Sequence, residues 1–203
     1  HHTFGVDNVQ SIVNLALMRG MVGKKCAGLL PLRGHSNVQG IGSMGVTPKL
    51  KQAVLDNLQS KFPIILPTEP GLDTLACVES ANKKEIDFAC NLGGNLYGSN
   101  PDSQFTQTAL AKIGFSLFLN TTLNQGHFLG RGQNSLILPV LARDEEPEPT
   151  TQESMFSFIR LSDGGIKRYS GPRSEVKIIA EIAQRVLGSN ELPWKSLSCT
   201  GNI

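Results

Sequence analysis

The 203 residues carry 19 basic and 17 acidic side chains, a formal net charge of +2, which is too even a balance for a nucleic-acid-binding face. A hydrophobic share of 39% with 18% charged residues is that of a folded globular chain, and no apolar run approaches the ~20 residues that a bilayer span needs. Cys26, Cys77, Cys90 and Cys199 are widely spaced, with no C-x-x-C pair. That spacing excludes a local zinc or iron–sulfur site and predicts reduced thiols.

In chain order, Val9, Ile12, Val13, Ala16 and Leu17 recur at helical spacing and predict a helix from Asp7 to Arg19. Asp7 is its expected N-cap and Gly20 its stop. Residues 21–32 are irregular. Pro48 is expected to open a second helix that runs to Ser60, with Leu50, Val54 and Leu58 on one face. Pro63 to Pro67 is a short apolar run between prolines, and Leu72 to Asn82 reads as another helix. Lys83-Lys84-Glu85 reads as a solvated turn whose charges only keep the surface wet.

From there the pattern alternates. Ile86 to Leu92 is a buried-strand candidate, ending in Gly93-Gly94-Asn95. Pro101-Asp102 opens a helix through Lys112, closed by Gly114. Phe115 to Leu119 and Ser135 to Val140 are two further strands. This rhythm predicts an α/β fold: a Rossmann-like, three-layer domain whose mostly parallel sheet is flanked by helices. Ligands of such sheets sit outside the carboxyl ends of the strands. Here those ends are Gly93 to Ser99 and Asn120 to His127, both rich in Gly, Asn, Ser and Thr. His127 itself, a loop histidine without an evident partner, reads as surface. Arg143 to Gln152 is acidic and proline-rich and reads as an exposed excursion. Met155 to Ile159 reads as a short returning strand, Asp163-Gly164-Gly165 as a turn, and Ser174 to Leu187 as a last helix stopped by Gly188.

One stretch is too polar for any core element: Arg33-Gly34-His35-Ser36-Asn37-Val38-Gln39-Gly40, followed by Gly42, Met44 and Gly45. Glycines allow close backbone approach, and a guanidinium offers a planar fork, so the loop suits a phosphate or a polar heterocycle. By composition alone it is equally a well-ordered surface turn. No G-x-G-x-x-G or P-loop pattern is present, which argues against an ordinary NAD or ATP site.

The wording from Asn14 to Pro48 (NLALMRGMVGKKCAGLLPLRGHSNVQGIGSMGVTP) resembles the molybdopterin oxidoreductases, and among them the formate dehydrogenase-like group. The matching phrase in that family reads RG-Q/H-x-N-V-Q-G and then M-G. The resemblance implies that Arg33 lies beside the molybdenum and grips a small oxyanion substrate. His35 stands where typical formate dehydrogenases have glutamine. An imidazole there can relay a proton and points away from formate itself as substrate. Gly34, Asn37, Gln39 and Gly40 would hold the pterin.

The family also has a G-E-N/D-P-like turn after a strand, at the guanosine end of one molybdopterin guanine dinucleotide. Gly94 and Asn95 match that turn and Ser99 a hydroxyl beyond it, although the turn here is longer and lacks the Glu and the adjacent Pro. Asn120 and Thr121 fall where the family has polar residues after the next strand. The resemblance implies a cofactor-binding region, with residues 1–60 supplying helices and pterin loop and 61–203 the nucleotide-facing part.

The chain, which does not begin with methionine, is then expected to be a fragment that is inactive alone. The molybdenum ligand, any iron–sulfur cluster and the closing domain would lie in the rest of a cytoplasmic enzyme that has a small-molecule substrate and an electron-transfer partner. A non-catalytic nucleotide-binding or structural module is the alternative.

Overall fold

The computed structural model describes residues 2–32, 34–62, 65–156, 158–187 and 193–197. It divides into two compact units, residues 1–38 and 39–203.

The first unit is built on α1 (Gly5–Met18). The helix starts two residues before Asp7, at an N-cap, Phe4, that makes no side-chain bond. Asp7 is therefore not the cap. It lies in the first turn, where a carboxylate meets the positive end of the helix dipole. The end follows the sequence: Gly20 takes φ 62°, and the N–H groups of Gly20 and Met21 return to the carbonyls of Leu17 and Ala16.

α2 (Val38–Ser43) carries the chain across the boundary between the units. α3 (Gln52–Lys61) begins four residues later than Pro48 predicted. Pro48 is not its first residue, because the Pro48 carbonyl accepts the Gly71 N–H at 2.7 Å and holds this segment in a loop. Pro63 and Ile64 lie outside the described residues, and Ile65 is exposed. α4 (Thr74–Asn82) is capped by Asp73, whose carboxylate accepts the Ala76 N–H at 2.9 Å.

The parallel sheet then forms in sequence order: β1 (Phe88–Leu92), α5 (Leu96–Ser99), α6 (Ser103–Leu110), β2 (Phe115–Asn120), α7 (Gly126–Leu129) and β3 (Asn134–Pro139). The strand order is β1-β2-β3, with β2 central and both pairings parallel. Asp102 caps α6 by accepting the Phe105 N–H at 2.8 Å. On one face, α4 and α6 bury Val78, Ala81, Ala109, Leu110 and Ile113 with Ala89 of β1 packed against them.

β4 (Thr150–Ser154) and β5 (Phe158–Ser162) make a separate antiparallel pair. The excursion expected over Arg143 to Gln152 thus ends inside a strand, and the returning strand starts later than Met155. α8 (Glu175–Leu187) covers the other face of the parallel sheet, where Ile178 is buried with Leu117, Leu119 and Val140. α9 (Trp194–Leu197) follows, and the expected stop Gly188 lies outside the described residues. The architecture is α/β: a three-stranded parallel sheet with helices over both faces, and a separate small antiparallel sheet.

Candidate functional site

At the carboxyl end of β1 the chain turns through Gly93 (φ 67°) and Gly94 (φ 71°). A side chain in this left-handed region costs about 1–2 kcal/mol per residue, so two adjacent glycines are what permits the turn. The Gly93 N–H still bonds the Leu119 carbonyl at 2.8 Å, which keeps the turn in register with β2. The Gly94 carbonyl then accepts two side-chain amides, Asn120 Nδ2 at 3.2 Å and Asn124 Nδ2 at 3.0 Å. One carbonyl with two lone pairs thereby ties the end of β1 to the end of β2 and to the loop beyond it.

Asn95 is half-buried and caps α5, its Oδ1 accepting the Gly98 N–H at 2.9 Å. Ser99 is exposed, its hydroxyl donating to the Leu96 carbonyl at 3.4 Å. The second loop closes on itself: Asn124 Oδ1 accepts the Gly126 N–H at 2.8 Å, and His127 Nδ1 accepts the Asn124 N–H at 2.9 Å. An accepting Nδ1 carries no proton, so the N–H of this ring is at Nε2. His127 is buried and meets Phe118 edge-on, with ring centroids 5.1 Å apart. That overturns the sequence reading of His127 as surface.

Asn120 is buried at the end of the central strand. Its Nδ2 is spoken for by Gly94, which fixes the amide orientation, and its Oδ1 has no hydrogen-bond partner among the described residues. Thr121, next to it, is exposed. A small space of about 10 Å³, room for one water, lies between the two loops. Asn91, Gly94, Asn95, Asn124, Gly126 and His127 line it, and among the described residues no carboxylate, lysine or arginine does. The site offers neutral donors and acceptors, with nothing to neutralise a phosphate.

Of the residues expected at the nucleotide, the structure brings together Gly94, Asn95 and Asn120, while Ser99 and Thr121 lie at the exposed margin. The sequence places Asn124, Gly126 and His127 on this rim but gives none of them the hydrogen bonds that close it. The signal was the Asn-Gln-Gly-His run on a strand-end loop. The pterin-loop residues fall in both units: Gly34 and His35 are exposed and Asn37 has φ 57° in the first, while Gln39 and the buried Gly40 belong to α2 in the second. Arg33 lies outside the described residues. Cys26, Cys77 and Cys90 are free thiols, and Cys199 lies outside the described residues. Among the described residues no cluster of His, Cys, Asp and Glu could hold a metal ion, and no helix is long and apolar enough to cross a membrane.

No protein-family model matches the chain. It is 33% identical over 202 residues to an uncharacterized oxidoreductase of Mycobacterium tuberculosis, covering 96% of this chain and 26% of that protein. It is 34% identical over 203 residues to protein YdeP of Escherichia coli, covering 97% of this chain and 27% of that one. It is also similar to the F420-dependent formate dehydrogenase subunit alpha of Methanocaldococcus jannaschii, 33% identical over 130 residues, 59% of this chain and 19% of that subunit. The chain thus spans about a quarter of the length of the oxidoreductase and YdeP relatives.

Proposed function

We propose that this chain is the central cofactor-binding region of a longer molybdopterin oxidoreductase of the formate dehydrogenase-like kind, built as a Rossmann-like domain. The observation that carries the reading is the buried Asn120 Oδ1, an acceptor without a donor among the described residues, at the carboxyl end of the central strand. Leaving such an atom unpaired costs about 1–3 kcal/mol, and a ligand that donates to it recovers that cost. A phosphate dianion has only acceptors and cannot do so. The N–H groups of a purine edge or the hydroxyls of a ribose can. Asn120 and Thr121, with Gly94, Asn95 and Ser99, therefore suit the nucleoside end of a molybdopterin guanine dinucleotide.

Gly34, Asn37, Gln39 and Gly40 would hold the pterin, residues 1–60 forming the pterin part and 61–203 the nucleotide part. When bound, the cofactor's molybdenum supplies two-electron redox chemistry. Arg33 would orient a small oxyanion through paired hydrogen bonds, and His35 would take or give a proton. The molybdenum ligand, any iron–sulfur cluster and the docking surface for an electron carrier belong to the remaining domains of a cytoplasmic enzyme. The likeness to an uncharacterized oxidoreductase and to formate dehydrogenase alpha subunits supports this reading.

The test is made on the full-length polypeptide, purified and assayed for molybdenum or tungsten, for guanine nucleotide released by acid, and for turnover with an artificial electron acceptor. Metal and guanine nucleotide in comparable amounts are expected. Arg33→Lys and His35→Gln should keep both and lower turnover at least a hundredfold. Nucleotide without metal would favour a non-catalytic module, and neither metal nor nucleotide would sink the proposal.

A further inference from the structure

The parallel sheet is covered unevenly. On the α8 face, Leu117 and Leu119 of β2 and Leu138 of β3 pack with Val140 and Ile178 of α8. In the parallel register Cys90 of β1 lies opposite Leu117, and Leu92 opposite Leu119, so these side chains belong to the same face. Yet Phe88 is 57% and Leu92 54% exposed, and Cys90 is exposed between them. Phe115, stacked on Phe88 with centroids 6.0 Å apart, is itself 38% exposed. The opposite face of β1 is packed, through Ala89, by α4 and α6. Among the described residues no strand pairs along the outer edge of β1.

Phe88, Cys90 and Leu92 make one face of β1 wholly apolar, while the other carries Ala89 and the polar Asn91; a wholly apolar face in a parallel sheet is normally covered by a helix. An edge strand normally carries charge, proline or a bulge against unwanted pairing, and Phe-Ala-Cys-Asn-Leu carries none of these. We propose that β1 is an interior strand in the full-length protein. A further strand from the same polypeptide pairs along its outer edge, and a helix of that polypeptide lays an apolar face over Phe88, Cys90 and Leu92. This inference rests on the reading that the chain is part of a longer enzyme.

Three observations select this occupant. The oxidoreductase and YdeP relatives have about three quarters of their length outside the matched region. The layer to be continued is helical, because α8 already forms it over β2 and β3. Parallel strands also require a crossover, usually a helix, so one β-α segment supplies both the missing edge and the missing cover. A second copy of the chain, related by a two-fold axis normal to the sheet, would instead pair β1 with itself in antiparallel fashion and bring no helix.

Cys90 is a built-in reporter. The purified full-length polypeptide is alkylated with iodoacetamide under native conditions and in urea, and Cys90 labelling is followed by peptide mass spectrometry. A Leu92→Cys variant provides a second probe on the same face. Both thiols are expected to react at least tenfold more slowly in the native protein, at every protein concentration and whether or not the cofactor is loaded. Native labelling as fast as in urea would overturn the proposal. Protection that appears only at high concentration, or only after another protein is added, would overturn it too, in favour of self-association or a separate partner. Molybdenum content is measured on the same samples. Protected thiols without molybdenum would fail the functional reading alone, and molybdenum with reactive thiols would fail this inference alone.

Discussion

Asn120 separates what the rim needs for stability from what it needs for a ligand. Replacing it by leucine removes the bond to the Gly94 carbonyl, but that carbonyl keeps Asn124, and the orphaned Oδ1 disappears with the amide. Because the Gly94 carbonyl keeps one donor and no polar atom is newly left unpaired, Asn120→Leu should shift the urea-unfolding free energy of this chain by less than about 1 kcal/mol. Nucleotide retained by the full-length protein should nevertheless fall at least tenfold. Equal retention would mean that Asn120 does not face the ligand. Gly126 gives the opposite case. A Cβ there would stand 2.5 Å from Asn95 Oδ1 and 3.0 Å from Asn124 Oδ1, both of which already accept backbone N–H groups. Gly126→Ala should therefore cost about 1–3 kcal/mol in the same unfolding experiment, the usual range for overpacking. The strand-end positions of Asn95 and Asn120 were legible in the sequence because short polar residues directly follow apolar runs. His127 was not, because its burial depends on Phe118 from the preceding strand and on a loop that folds its Nδ1 onto the Asn124 N–H. No local periodicity announces such a contact.

At the level of elements, legibility follows how much of the signal is local. α4, α6 and α8 and the three parallel strands were readable to within a few residues, since apolar spacing and side-chain caps such as Asp102 are written nearby. The start of α3 was misread because what holds Pro48 out of the helix is Gly71, far along the chain. β5 was expected, a few residues too early, but β4 was missed because Thr-Thr-Gln-Glu-Ser has no apolar alternation, and its acidic, proline-rich approach reads as a loop. The Lys83-Lys84-Glu85 turn does more than stay wet. Lys84 takes φ 64°, and the N–H groups of Lys84 and Glu85 return to the Ala81 and Ser80 carbonyls, closing α4 as glycine usually does. A lysine there bears the left-handed penalty that glycine avoids, less the extra chain entropy glycine loses on folding. Lys84→Gly should thus raise stability by about 0.5–1 kcal/mol, read as a higher urea midpoint with an unchanged slope. A lower midpoint would mean that the lysine side chain makes a stabilising contact outweighing the backbone strain.

For the larger unit as a whole, the excursion after β3 meets the start of α8 at two like charges. The Glu146 carbonyl accepts the Gly165 N–H, which closes the excursion, while the Glu146 carboxylate acts on Glu175 in the first turn of α8. Burial pushes the Glu175 carboxyl above its ordinary value of 4.5, and repulsion from Glu146 pushes it the same way. The N-terminal end of the helix dipole favours the anion, so an upward shift means that burial and Glu146 outweigh it. The folded state then binds this proton more tightly than the unfolded one. Its contribution to stability is fully present below the unfolded value and is lost as pH rises through the raised one. The residue is half exposed, and solvent screening keeps the effect small. Other carboxylates have their own slopes, so the informative quantity is the difference between wild type and Glu175→Gln. Between pH 4 and pH 7 the wild-type urea midpoint should fall relative to that of the variant. Glu146→Gln should reduce this relative fall without abolishing it, because burial is the larger cause. Parallel midpoints for wild type and Glu175→Gln across that range would show that the junction between the excursion and α8 holds no strained charge.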